Sequence, residues 1–166
     1  MGFKNTSRRV STMESLYKIA SYICQRYKAE FGECISEMKL HKLLYFMQRE
    51  SIIRFGEPPF EDRFEAWRYG PVIPVVREMY ASNILNENTD ISLEKKYNEL
   101  FDYVFKTYAV KDARSLSRLT HGEVSWINAR KNLSPSQNGK NQISIQDIEK
   151  DAYRIKVKRL VKELVK

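Results

Sequence analysis

The stretch 37–55 (EMKLHKLLYFMQRESIIRF) constrains this chain most, because it is apolar on several sides at once. Ser36 supplies an N-cap ahead of it, and Gly56 followed by Pro58-Pro59 ends it. Leu40, Leu43, Leu44 and Met47 form one narrow stripe, while Phe46 and Ile53, seven residues apart, fall on a different side, with Tyr45 and Ile52 on others again. A surface helix needs one apolar stripe, whereas a helix apolar all round must be surrounded. The expectation is a mainly α, compact multi-helix domain built around this central buried helix.

The flanking sequence supplies the surrounding helices. Leu16, Ile19, Ala20, Ile23, Tyr27 and Phe31 recur at three- and four-residue steps, which predicts a helix over about 13–31 capped by Ser11 or Thr12 and stopped by Gly32. Residues 1–12 read as a flexible leader before a single domain over 13–166. Pro74 opens a helix carrying Val75, Val76, Met79 and Tyr80. The segment 82–92 reads as a polar loop, and Ser92 opens a helix to about Val110. Asp112 caps a short helix to Leu119, and Thr120-His121-Gly122-Glu123 reads as a capping box starting another to about Lys131. The last helix, 146–165, places Ile148, Ala152, Ile155, Val157, Leu160, Val161 and Leu164 broadly on one side. Alternation is confined to Phe60–Tyr69 and Ile143–Ile145, so at most one short two-stranded β element is expected, with Gly70-Pro71 as a turn.

Composition narrows the function classes. The 166 residues are 42% hydrophobic with 6 Gly and 5 Pro, which fits a packed domain rather than a disordered chain. Cys24 and Cys34 are the two cysteines, too few for a disulfide scaffold, and no signal peptide or membrane span is evident, so the expected location is the cytoplasm. The net charge of +8 sits at the ends. Lys4, Arg8 and Arg9 face no acid in 1–13, seven basic residues face two acids in 150–166, and the stretch between balances at 19 against 19. Nucleic-acid binding is therefore expected to be weak and carried by the termini. The runner-up function is a DNA-binding regulator using those termini.

The sequence lacks GxGxxG, a Walker-type phosphate loop and GxSxG, and His121-Gly122-Glu123 lacks the second histidine of HExxH. With His41 and His121 as its two histidines, it carries no recognisable zinc spacing. No catalytic residue, cofactor or metal is expected. The positive signal is aromatic: Trp67-Arg68-Tyr69 lies on an extended segment beside Gly70-Pro71, and Trp, Tyr and Arg are the residues that most often anchor protein interfaces. Trp67 reads either as such an anchor or as an inward-packed aromatic. His121 reads as a hydrogen-bonding group for a neighbouring loop, and is grouped with Trp67, Arg68 and Tyr69 as a candidate partner-binding residue.

Three strings resemble a known family. Residues 39–46 (KLHKLLYF) are similar to its KLxKLLYF helix, residues 65–72 (EAWRYGPV) to its EAWxxGPV signature, and residues 119–126 (LTHGEVSW) to its LTHxExPW segment. Val124-Ser125 departs from the pattern, which often has proline before the tryptophan. Order and separation also fit, over about 14–155. The chain thus resembles the Panacea (SocA-like) antitoxin domain. The resemblance implies an antitoxin encoded beside a toxin, often on a phage, prophage or other mobile element. It further implies neutralisation of the cognate toxin by direct contact, or by delivery to a protease system, without catalytic residues.

Overall fold

A computed structural model describes residues 3–86 and 93–166, with side chains from Ser15. Seven α-helices and one hairpin make up its regular structure: α1 Phe3–Phe31, α2 Glu37–Phe55, β1 Glu65–Trp67, β2 Gly70–Val72, α3 Pro74–Ala81, α4 Asn98–Val104, α5 Ala113–His121, α6 Val124–Ala129 and α7 Ile145–Leu164. The mainly α class expected from the sequence is what is seen. Helix α2 touches α1, α3, α4, α5, α7 and β2, and every residue from Lys39 to Ser51 is buried. Its ends are as the sequence reads them. Ser36 Oγ accepts the Lys39 amide, and Gly56 takes the left-handed conformation at φ 73°.

Elsewhere the local signals are overridden. Helix α1 begins at Phe3, ahead of the Ser11 or Thr12 cap, since no Gly or Pro interrupts 3–31. Of the leader expected over 1–12, Met1 and Gly2 lie outside the described residues. So do 87–92 of the polar loop, including Ser92. The expected helix up to Val110 is instead a 3-10 turn at Lys95–Tyr97, α4, and a π turn at Phe105–Ala109. Gly70-Pro71 belongs to a strand: Glu65 pairs with Val72, Ala66 with Pro71 and Trp67 with Gly70. Ile143–Ile145 forms no strand, although Ala66 N–H donates to Asn141 O at 2.7 Å and Ile143 N–H to Phe64 O at 2.8 Å.

The Thr120–Glu123 capping box does not form. Thr120 Oγ1 bonds back to Ser117 O at 2.8 Å inside α5, and Glu123 turns inward to Arg49. The cap of α6 comes from α7: the fully buried Asp151 carboxylate accepts Val124 N–H at 2.9 Å and Ser125 N–H at 2.8 Å. A carboxylate at a helix N-terminus satisfies free amides and suits the helix dipole.

Asp151 belongs to a buried polar network along α2. Arg49 donates to Glu123 at 2.5 Å and to Tyr108 Oη at 2.6 Å, and Tyr45 Oη meets Ser125 Oγ at 2.7 Å. Glu50 receives both guanidinium nitrogens of Arg159, at 2.9 and 2.8 Å. Burial pushes the Glu123 carboxyl above its ordinary pKa even beside Arg49. Burial acts the same way on Glu50, but there Arg159 and Arg49 outweigh it and hold the carboxyl low.

Helix α7 also departs from its expected single apolar side. Ile148 and Ala152 face the core, while Val157, Leu160, Val161 and Leu164 are exposed. At about 100° per residue the two sets lie on different faces.

Removing one partner of a buried ion pair costs about 3–5 kcal/mol, whereas replacing both by apolar groups is far milder. Arg49→Met alone should therefore destabilise the fold by about that amount, and Arg49→Met with Glu123→Met should recover most of the loss. Urea unfolding of the wild type, both single variants and the double variant checks this coupling.

Candidate functional site: the hairpin face

The β1–β2 hairpin has two residues, Arg68 and Tyr69, at its tip. Its backbone is held by side chains from three helices and the loop before α7. Ala66 O accepts from Arg130 at 2.7 Å, Trp67 O from Trp126 Nε1 at 2.9 Å, Tyr69 O from Ser117 Oγ at 2.8 Å and Pro71 O from Lys42 Nζ at 3.3 Å. The His121 ring lies against the backbone of Arg68, whose own N–H donates to Asn138 Oδ1 at 3.3 Å. Pro71 fits in β2 because its opposite number, Ala66, sends its N–H to Asn141.

Gly70 is required twice over. Its φ is +111°, and a Cβ there would lie 2.5 Å from Lys42 Cε and 2.6 Å from Thr120 Oγ1. The hairpin therefore rests directly on the Lys42 stem. Burial lowers the Lys42 pKa from 10.5 to about 7, against the opposing pull of Glu37. His41, beside it, is lowered to about 3 by burial and then by Lys42 and Arg77. Its Nδ1 accepts Ile73 N–H at 3.3 Å, so the neutral ring carries its proton on Nε2.

With the backbone secured inward, the side chains project. Tyr69 is 54% exposed, Arg68 is exposed and Trp67 is half-buried. The Arg68 guanidinium lies 5.0 Å from the Tyr69 ring centroid, and that of Arg77 lies 5.1 Å from the Trp67 ring. A hollow of about 410 Å³ opens beside them, lined by Met38, His41, Trp67, Tyr69 and Val72 among others. The structure thus brings Trp67, Arg68 and Tyr69 to one surface. His121 stands behind them, stacked on Trp126 with ring centroids 4.1 Å apart and planes 15° apart. Burial lowers its pKa, so the ring is neutral at pH 7. Trp126 is half-buried and acts as a strut for the hairpin rather than as the simple core residue its helix position suggests.

Sequence reasoning missed Lys42, Ser117 and Arg130 as groups that hold the hairpin. The available signal was Lys42 inside a helix apolar on all sides; the other two carry no local mark. Among the described residues, no three His, Cys, Asp or Glu side chains gather as a metal site, and no helix is long and apolar enough to cross a membrane. Cys24 is buried, which pushes its thiol up to about 12.

The family described as "Antitoxin SocA-like, Panacea domain" matches residues 40–127, just over half of the chain. The chain belongs to this family. A curated relative, Antitoxin SocA of Caulobacter vibrioides (strain NA1000 / CB15N), is 43% identical over 49 residues. That stretch covers 30% of this chain and about a quarter (26%) of the relative. No solved structure matches. The part matched by the Panacea domain runs from α2 to α6, and so contains the whole hairpin together with Lys42, Ser117, His121 and Trp126.

Lys42 gives a pH signature. The unfolded chain holds the Lys42 proton up to about 10.5 while the folded chain releases it near 7, so the folded state binds fewer protons between those values. Stability contributed here rises with pH across that window and the burial penalty is full below it. Between about pH 7 and pH 9, before tyrosines titrate, the wild type should gain stability relative to Lys42→Met. Melting curves of both proteins across this range test it; parallel curves would contradict a depressed lysine.

Proposed function

We propose that this chain is an antitoxin that neutralises a cognate toxin by direct protein contact, and that the outer face of the hairpin makes that contact. The observation that supports it most is the division of labour in residues 65–72. Their backbone is bonded inward by Arg130, Trp126, Ser117 and Lys42, while Trp67, Arg68 and Tyr69 are left facing out. A surface held in place before binding loses little conformational entropy on association, and aromatic and arginine side chains on it are the usual anchors. In this reading Trp67, Arg68 and Tyr69 touch the partner. His121 acts through the hairpin it supports. The chain works by binding rather than by catalysis.

Contact of this kind serves either masking of the toxin or its delivery to a protease. Membership of an antitoxin family makes a toxin the expected partner. The test uses the toxin encoded beside this chain. Arg68→Ala with Tyr69→Ala removes exposed side chains, so melting should be nearly unchanged while the complex weakens by about 2 kcal/mol or more. A folded double variant that binds and protects cells at full strength would place the contact elsewhere. Toxin abundance in the same cells separates the two routes: a stable toxin level indicates masking, and a falling one indicates delivery.

A further inference from the structure

Helix α7 carries two faces. Ile148, Asp151 and Ala152 are buried against the domain, and Ile155 and Arg159 continue that side. Roughly opposite, at about 100° per residue, stand Tyr153, Val157, Leu160, Val161 and Leu164. These five are between 39 and 86% exposed. Their exposure therefore reflects the direction in which they point and not only the helix running past the end of the domain. Tyr153, Val157, Leu160 and Leu164 follow steps of four, three and four, the spacing of a seam between two helices. Val161 widens it. An apolar stripe on a solvent-facing helix side marks an interaction surface.

The residues flanking the seam identify its occupant. Lys156 and Glu163, seven residues apart, share one flank, and neither has an ion-pair partner among the described residues. Arg154 and Val161, also seven apart, share the other. In an antiparallel pair of helices, like flanks face one another. Setting Val157 against Leu160 of a second copy, and Tyr153 against Leu164 of that copy, places Lys156 opposite the second copy's Glu163. Two-fold symmetry repeats this ion pair in the other direction. Arg154 then faces Val161 of the second copy, so no like charges meet. A parallel pair would instead set Lys156 against Val161 and lose both ion pairs. We infer that α7 pairs with α7 of a second copy of this chain, antiparallel, through the Tyr153–Leu164 stripe. The seam is about 17 Å long at 1.5 Å per residue, far smaller than a standard interface, so the dimer is weak and concentration-dependent.

Sedimentation of the full chain from micromolar to submillimolar concentration, in reducing buffer, tests the pairing. The wild type should pass from monomer to dimer. Leu160→Glu should remain monomeric, and Lys156→Glu should weaken association by at least about tenfold by opposing two pairs of acids. Lys156→Glu with Glu163→Lys should restore it. All of these side chains face solvent, so unchanged melting of each variant confirms that folding is not the cause. A wild type that stays monomeric throughout, a Leu160→Glu variant that still dimerises, or a charge swap that fails to rescue would each overturn the proposal. If the monomeric wild type, but not Leu160→Glu, sediments with phosphatidylserine vesicles, the stripe faces lipid and self-pairing is wrong.

Discussion

Arg49 and Glu123 meet at 2.5 Å where both side chains are buried, and removing either leaves the other without its nearest counter-charge. This contact ties the middle of α2 to the turn between α5 and α6. On one side of that turn is His121, and on the other Trp126, the two rings that stack beneath the hairpin. Asp151 secures the same turn from α7 by taking the first amides of α6, and Arg159 holds α7 to α2 through Glu50. Positions of the surface residues thus trace back to ion pairs and carboxylates that are mostly buried.

A flexible two-residue tip would lose conformational entropy on binding a partner. Here the carbonyls of Ala66, Trp67, Tyr69 and Pro71 and the amides of Ala66 and Arg68 each have a partner outside the hairpin, and Gly70 lets the strand lie on Lys42. The Trp67 and Tyr69 rings are further flanked by Arg77 and Arg68. The three strings that mark the family accordingly form one unit: the α2 string supplies Lys42, the α5–α6 string supplies His121 and Trp126, and the third is the hairpin that they hold.

Features set by neighbours in sequence were legible without the structure. Ser36, Gly56 and the all-round apolar pattern between them gave α2 its ends and its central place. Pro74 opened α3, and the residues at the hairpin tip were recognisable by type. Features set by groups distant in sequence were not. Thr120 and Glu123 have capping-box spacing, but a buried arginine 74 residues earlier claims the glutamate, and Asp151 on another helix supplies the cap. Gly70-Pro71 looked like a turn because proline disfavours strands, yet the amide opposite it bonds to Asn141 and asks nothing of it. On α7 the apolar residues were visible, but which of them meet α2 depends on the rotation fixed by Asp151 and Arg159. Trp67, Arg68 and Tyr69 were identified as candidates, while the lysine, serine and arginine that hold their backbone were not.

Hydrogen–deuterium exchange of the free chain and of its complex with the cognate toxin addresses the central claim directly. Slow exchange in α2 before binding, with new protection on complex formation concentrated in 65–73 and the adjoining surface of α5, is the predicted result. Protection confined to other elements, with the hairpin exchanging as in the free chain, would contradict it.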